Sequence, residues 1–196
     1  MKNFCFIVSH FYSGSVELTE ILNKNPRCEF KLGSDDNIYD HPEALNSIIN
    51  QKHKIFGDQI LKNYNLSSKS FYEFSKFIYV IRSPRGTFGE FFEKHKNSTN
   101  QNIERFSDYY RFRLRRICEM AKKTKSGLIL NWEDLKSKKA FPLIEEYLEI
   151  KLNYDGDIFN LNTTNFENET IIRQANKSYE KYHYFLKNLN QRVSNG

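Results

Sequence analysis

Four short apolar segments recur along the chain, and the stretches between them carry apolar residues at helical spacing. The segments cover residues 4–9, 54–57, 77–81 and 127–132. The run from Phe77 to Ile81 is made only of aromatic and β-branched residues, a composition typical of a buried strand. Strands that alternate with helices at this spacing predict an α/β fold, with a central parallel sheet between two layers of helices.

Helices are predicted over residues 15–23, 68–76, 84–96, 103–123 and 139–148, and His41-Pro42-Glu43 opens a further one. Proline suits the first turn of a helix. On the long helix we expect Phe112 and Leu114 to face the core. Residues 149–166 are rich in Asn and Asp and are predicted to be irregular, and a C-terminal helix follows over about 167–190. With 196 residues and no linker or repeat, the chain is expected to form one domain, 1–196.

The net charge favours anionic partners. Lys and Arg number 30 against 24 Asp and Glu, which suits nucleotides, acidic glycans, nucleic acid or lipid headgroups. A nucleic-acid partner is disfavoured because no recognisable binding module accompanies the charge. Three cysteines without CxxC spacing argue against a zinc site and a disulfide framework. The apolar run at residues 4–8 is too short for a signal peptide or a membrane span, so we expect a cytoplasmic protein without a transmembrane segment.

The turn between the first strand and the first helix has the composition of a phosphate-binding loop. Ser13-Gly14-Ser15 stands at the carboxyl end of the strand, where ligands of open parallel sheets bind at helix N-termini. Gly14 lets the backbone approach an anion, and the two serines add hydroxyl donors. A tight turn with a serine cap is the alternative interpretation. A Walker A loop is excluded because Ser15, not Lys, follows Gly14.

Three segments in order resemble the PAPS-dependent sulfotransferases, where PAPS is 3′-phosphoadenosine 5′-phosphosulfate. The loop resembles that family's Lys/Arg-Ser-Gly-Thr-Thr pattern through Ser13, Gly14 and Ser15. The run Arg82-Ser-Pro-Arg85 is similar to its strand-end Arg-x-Pro-Arg, and Trp132-Glu-Asp-Leu135 is similar to its Tyr-Glu-Asp-Leu. The resemblance spans roughly residues 4 to 150. It implies a P-loop-type α/β/α fold and transfer of a sulfuryl group from PAPS to a hydroxyl or amine, with PAP as product and no metal.

The resemblance also assigns the donor-binding positions and shows where this chain departs from them. The loop 12–16 is implied to hold the 5′ end, yet Tyr12 stands where the family has its cation and Val16 where it has the second Thr. Arg82 is implied to hold the 3′-phosphate through a bidentate contact. The family's Ser eight residues later is Glu90 here. Arg82 has the alternative role of pairing with Glu90 or Asp58.

Two side chains are candidates for the general base. Asp58, in Gly57-Asp58-Gln59 after the predicted short strand, could take the acceptor's proton, although a solvated turn aspartate fits the same pattern. His10 could act as base or supply the missing charge, although a lone histidine at a strand end is commonly structural. On the long helix, Arg111, Arg113, Arg115 and Arg116 could form an anion-binding strip, for which an ordinary solvated basic face is the simpler interpretation.

Two other functions fit parts of the pattern. A catalytically degenerate relative that binds a nucleotide or glycan fits the departures at Tyr12 and Glu90. A P-loop kinase is disfavoured because the Walker Lys and a clear magnesium-binding carboxylate are missing. The acceptor, a glycan or a small molecule, cannot be read from the sequence. The chain is short for the family, so a partner subunit, as in a homodimer, could complete the acceptor site.

Overall fold

A five-stranded parallel sheet forms the centre of the molecule. The computed structural model describes residues 4–31, 54–60, 69–95, 105–154 and 168–193. The strands are β1 (Phe4–Ser9), β2 (Cys28–Lys31), β3 (Ile55–Ile60), β4 (Lys76–Ile81) and β5 (Leu128–Asn131), in the order β2-β3-β1-β4-β5. All neighbouring pairs are parallel. The central strand β1 lies between β3 and β4 and therefore delivers the loop that follows it to the middle of one sheet edge.

Seven helices are present in the described ranges. They are α1 (Ser15–Asn23), α2 (Lys69–Phe74), α3 (Pro84–His95), α4 (Phe106–Ala121), α5 (Trp132–Lys136), α6 (Phe141–Leu148) and α7 (Glu169–Val193). The predicted helix opened by His41-Pro42-Glu43 lies outside the described residues. The described part contains no helix that is both long and apolar enough to cross a membrane.

The sheet is buried on both faces, which confirms the predicted three-layer α/β/α arrangement. On one face, Phe6, Phe77 and Tyr79 pack with apolar residues of α4 and α7. On the other face, Ile7 and Val80 pack with residues of α1 and α6. Because β1 and β4 contribute side chains to both cores, their sequences are continuous apolar runs rather than alternating ones.

The strand β3 is longer than the sequence predicted. It was expected to end at Gly57 but runs on to Ile60, so Asp58 lies inside the strand and not in a turn after it. A Cβ at Gly57 would overlap the Phe30 ring and approach the Cys5 carbonyl oxygen within 2.5 Å. The glycine therefore marks a close packing contact with β2, not the end of a strand. The edge strand β2 itself was missed because two of its four residues, Glu29 and Lys31, are charged and alternate with Cys28 and Phe30.

The orientation of α4 also differs from the prediction. Leu114 is buried as expected, but Phe112 is 44% exposed and Arg113 only 4% exposed. The buried face follows the helical spacing Tyr110, Arg113, Leu114, Ile117, which places position 112 outside it. Phe112 is instead covered in part by the Arg116 guanidinium, 5.5 Å from the ring centroid.

Candidate functional site

The loop between β1 and α1 has the backbone geometry of an anion cradle. Gly14 has φ 90° and ψ 10° and immediately precedes α1. This left-handed conformation is one that glycine adopts without strain, and Tyr12 adopts it as well, at φ 60°. The helix has no side-chain cap at Gly14, and among its first amides the Glu17 N–H is bound by the Glu17 carboxylate. Those amides and the helix dipole present positive partial charge in front of the loop.

A buried polar network holds Ser15 at the start of the helix. Its hydroxyl accepts hydrogen bonds from Ser9 Oγ, at 2.8 Å, and from the Gln59 side-chain amide. Ser13 Oγ lies 3.5 Å away. A hydroxyl has two lone pairs and one proton, so two accepted bonds leave its own proton to donate. The sequence singled out Gln59 only as the neighbour of Asp58, and it missed Ser9, the polar residue that ends the otherwise apolar strand β1.

Arg82 lies at the same edge, immediately after β4, and is 1% exposed. Its Nη1 donates to the Tyr12 carbonyl oxygen at 3.0 Å and to Glu90 Oε1 at 2.7 Å. The guanidinium lies 4.2 Å from the Trp132 ring centroid. Gly86 leaves room for it, since a Cβ there would meet Arg82 Nε at 2.7 Å. Arg82 is therefore anchored against the loop, and its charge is paired with Glu90, the alternative role that the sequence allowed.

Two buried donors beside this ion pair have no hydrogen-bond partner within the described ranges. They are Arg82 Nη2 and Trp132 Nε1. Buried donors without partners are rare in folded proteins and are often explained by a ligand, ion or water. Trp132 was predicted to end the last strand, 127–132, but is the first residue of α5. That change brings its ring over the guanidinium.

His10 is fully buried and tied to the main chain through both ring nitrogens. Nδ1 donates to the Phe11 carbonyl oxygen at 2.9 Å, and Nε2 accepts from the Arg82 N–H at 3.1 Å. Burial lowers the pKa of His10 to about 4, and the nearby Arg113 and Arg82 act in the same direction. At neutral pH His10 is an uncharged link between β1 and β4. This geometry matches its structural interpretation.

Asp58 lies on the α4 side of β3, opposite Phe6 and Lys31 in the neighbouring strands. It is 4% exposed, and its Oδ1 accepts from the Gln59 N–H at 2.7 Å. Burial raises the pKa of Asp58 to about 6, against the opposing effects of that hydrogen bond and of Lys31. A carboxyl group with this pKa changes its protonation state close to neutral pH.

Three of the four arginines on α4 form surface ion pairs along the helix. Arg111 pairs with Asp108 at 2.9 Å, while Arg115 and Arg116 both pair with Glu119 at 2.9 Å. The sequence-predicted strip of four arginines is therefore not formed, because Arg113 points inward. Its Nη2 donates to the carbonyl oxygens of Ser9, at 2.5 Å, and Ile60, at 3.3 Å. Burial lowers the pKa of Arg113.

The remaining predicted positions lie at the periphery of the loop. Arg85 forms an exposed ion pair with Glu169 at 2.7 Å. Val16 is 41% exposed on the first turn of α1. Glu17 follows it, and burial raises its pKa, as does the nearby Glu90. The Tyr12 pKa is raised by burial and by Glu90. Carboxylates thus stand close to both the loop and Arg82, which reduces the positive charge of the site.

Aromatic rings border the loop on the α4 side. Phe11 stacks on Tyr109 with 5.7 Å between centroids, and its N–H donates to the Tyr109 hydroxyl at 2.8 Å. Tyr12 packs edge-on against Phe91, which in turn stacks on Tyr109. Phe11 remains 39% exposed. These contacts explain how a loop with two residues at positive φ angles is held in one conformation. No group of three or more potential metal ligands occurs in the ranges that the structure describes.

Comparison with solved structures identifies the fold of the chain. The chain is similar to the structure of the mouse sulfotransferase SULT7A1 complexed with PAP, with a TM-score of 0.56 and 20% identity over 79% of this chain. It is also similar to the sulfotransferase domain of the Synechococcus PCC 7002 olefin synthase, with a TM-score of 0.54 and 16% identity. The latter match covers 92% of this chain and 86% of the domain.

The chain therefore adopts the sulfotransferase fold, as the three sequence segments predicted. It spans 61% of the mouse enzyme's chain. No family model and no curated protein sequence matches it. At these identities the likeness establishes the architecture, and function has to be argued from the site itself.

Proposed function

We propose that the chain binds the donor PAPS at the loop 12–16 and transfers its sulfuryl group to a hydroxyl or amine. The observation that carries this proposal is the joining of Arg82 to the loop through the Tyr12 carbonyl oxygen. A guanidinium and a helix N-terminus then face one ligand from two sides, as an adenosine nucleotide with phosphates at both ends requires. The PAP complex of the similar mouse enzyme supports the choice of nucleotide.

In this proposal the loop holds the 5′ end. The amides that follow Gly14 and the Ser15 proton donate to the phosphosulfate, and Ser13 lines the same turn. These groups are fixed before the ligand arrives, which lowers the cost of ordering them during binding. Arg82 Nη2 and Trp132 Nε1 are the donors that remain for the nucleotide's 3′ side.

Asp58 is our candidate for the general base. Its pKa of about 6 lies near neutral pH, where a base is most effective. The acceptor's oxygen or nitrogen attacks sulfur, the bond from sulfur to the bridging oxygen of PAPS breaks, and PAP leaves. The acceptor's proton passes to the base. His10 is the weaker candidate because both of its nitrogens already bind the main chain. We place the reaction in the cytoplasm, where the buried free thiols would stay reduced.

The first test is a thermal-shift comparison of PAP, PAPS, AMP, ADP and ATP, each with and without magnesium. PAP and PAPS should raise the Tm according to RT ln(1 + [L]/Kd), ATP should raise it less, and magnesium should have no effect. Equal shifts for all five nucleotides, or none, would contradict the proposal. Turnover is then measured with PAPS and a panel of hydroxyl and amine acceptors. Asp58→Asn should lower it by about two to four orders of magnitude with little change in donor affinity.

The Arg82–Glu90 ion pair favours a second candidate function. A carboxylate 2.7 Å from the guanidinium competes with a phosphate for it. A catalytically degenerate protein that binds a nucleotide or glycan would tolerate this competition. Tight PAP binding without sulfuryl transfer to any acceptor of the panel would establish this alternative.

A further inference from the structure

The exposed face of α7 carries a row of positive charge without ion pairs. Arg173, Lys177 and Lys181 follow one another at intervals of four residues, and Lys187 continues the row; all four side chains are exposed. Residues four apart lie on one side of a helix, so this basic row is about 21 Å long, with about 6 Å between its first charges. None of the four forms an ion pair within the ranges that the structure describes.

The neighbouring helix α4 is similarly basic but neutralises its own charge. Each of its three surface arginines pairs with an acidic residue of the same helix. On α7, Glu169 pairs with Arg85 of α3, and Glu180 pairs with no basic side chain in the described part of the chain. The 25 residues of α7 include five basic and two acidic residues, a net charge of +3. Half of the chain's net charge of +6 is therefore concentrated on this helix.

The opposite side of α7 is already used for packing. Ile172, Ala175 and Leu186 are buried in the core beneath the helix. A helix that binds a bilayer surface inserts its apolar side, and here that side faces the protein. Single-stranded nucleic acid is held by successive aromatic rings, whereas Tyr184, 71% exposed, is the one large aromatic side chain exposed on the described part of this helix. The face is thus a poor match for a membrane or for nucleic acid.

An acidic polysaccharide matches the face in both charge and shape. It is a linear polymer whose carboxylate or sulfate groups recur along the chain, as the cations recur along the basic row. Its sugar rings present C–H groups that can pack on an exposed tyrosine ring while their hydroxyls stay in water. We propose that the exposed face of α7 binds a linear acidic polysaccharide, held by the basic row and packed on Tyr184. The inference does not depend on the proposed sulfuryl transfer, since none of these residues belongs to the candidate site.

The test uses a fluorescent heparin octasaccharide, with binding followed by anisotropy in about 0.15 M NaCl. Wild type should bind it, and an uncharged dextran of equal length should not compete; no binding by wild type would overturn the proposal. The α7 triple variant, Arg173→Gln/Lys177→Gln/Lys181→Gln, should bind at least about 10-fold more weakly. Contacts with four cations predict a slope of log K against log[NaCl] of about −3, and the triple variant should bring the slope to about −1.

The α4 triple variant, Arg111→Gln/Arg115→Gln/Arg116→Gln, is the matched control. It removes the same formal charge from the neighbouring helix, where the arginines are already paired. It should change the affinity less than about 3-fold and leave the salt slope unchanged. Equal losses in the two triple variants, with both folded by circular dichroism, would show that the polymer responds to net charge alone and would overturn the proposal.

Tyr184→Ala distinguishes a polysaccharide from other polyanions. It should weaken octasaccharide binding about 3- to 10-fold without changing the salt slope, because the ring contributes packing and no charge. Tyr184→Phe, which keeps the ring, should bind as wild type does. Unchanged affinity in Tyr184→Ala would contradict the packing of a sugar on this face. The assay is repeated with single-stranded DNA of equal charge and with vesicles that contain phosphatidylserine. If the α7 triple variant loses more affinity for either of these than for the octasaccharide, the partner is not a polysaccharide and the proposal is wrong.

Discussion

The two ends of the candidate site lie at the same sheet edge but differ in whether their positive charge is already paired with a carboxylate. At the loop, Gly14 makes no side-chain cap bond and the start of α1 presents backbone donors, of which the Glu17 N–H is bound by its own carboxylate. At the end of β4, Arg82 is already bound to Glu90. The loop end is ready for an anion, while the Arg82 end must exchange an internal carboxylate for an external phosphate. Affinity should therefore depend mainly on the loop, and selectivity for a 3′-phosphate on the ion pair.

The largest effect should come from closing the loop end. In Gly14→Val, a branched residue has to adopt φ 90°, a conformation that such residues rarely populate. Its side chain would also stand where the phosphate approaches. We expect nucleotide binding to be lost by calorimetry while circular dichroism reports a folded protein. Glu20→Val, at an exposed position further along α1, is the control. A folded Gly14→Val protein that still binds PAP would place the ligand elsewhere.

Removal of Arg82 should have the next largest effect, and only on ligands with a 3′-phosphate. A charge-assisted hydrogen bond contributes about 1.5–3 kcal/mol, so Arg82→Ala should weaken PAP roughly 10- to 150-fold. AMP, which has no 3′-phosphate, should bind nearly unchanged. Arg85→Ala, whose ion pair is exposed, is the control. Equal losses for PAP and AMP would mean that Arg82 acts only by holding the loop through the Tyr12 carbonyl.

Glu90→Ser tests the competition itself and should act in the opposite direction. Without ligand, the buried guanidinium loses its partner, which costs about 3 kcal/mol, or roughly 6–12 °C in Tm for a chain of this size. PAP should then bind several-fold more tightly, with a larger thermal shift than in wild type, and AMP should not. Glu93→Ser, on the exposed side of α3, is the control.

A double-mutant cycle tests whether the effect of Glu90→Ser on PAP affinity depends on Arg82. In an Arg82→Ala background, Glu90→Ser should do little to PAP affinity if competition for the guanidinium is the main effect. If Glu90→Ser tightens AMP and PAP equally, Glu90 repels the nucleotide at another point. The difference between the two ends of the site would then not depend on the ion pair.

The parts of the fold that could be predicted from the sequence are those determined by patterns of adjacent residues. The apolar runs of β1 and β4 and the Ser-Gly-Ser turn carry their signal in adjacent residues, and both the layer arrangement and the sulfotransferase fold followed from them. β2 was missed because a four-residue edge strand with Glu29 and Lys31 has little pattern to detect. The extent of β3 was misjudged because the reason for Gly57 is a ring on another strand.

The candidate site was less predictable because its chemistry depends on partners far apart in sequence. Gln59 holds a serine 44 positions away, and Arg113 reaches a carbonyl 104 positions away. In the sequence Arg113 is one of four arginines in a short stretch. Only the rotation of the helix relative to the sheet distinguishes it from the other three. Glu90 could be anticipated, since it lies eight residues after Arg82, close to two helical turns.

The smallest effect concerns the pH dependence of stability. It arises next to the loop, where Asp58 binds the N–H of Gln59 and Gln59 holds Ser15. Burial raises the pKa of Asp58 from 3.8 to about 6, so the folded protein holds this proton more tightly than the unfolded chain. The resulting stability is fully present below about pH 3.8 and is lost as the pH rises through about 6. For His10 the pKa is lowered from 6.5 to about 4, so its contribution is lost as the pH falls through that window.

Asp58→Asn separates the two groups. The amide keeps an acceptor for the Gln59 N–H but carries no charge, so the variant should have a higher Tm than wild type at pH 8 and the same Tm near pH 4, while His10 affects both proteins alike. Thermal unfolding of the pair between pH 4 and pH 8 measures the difference directly. If Asp58 is the general base, Asp58→Asn should be more stable and yet far less active in sulfuryl transfer, because the buried base lowers stability. A Tm difference that does not change with pH would show that Asp58 keeps an ordinary pKa, and the argument for it as the base would lose its physical support.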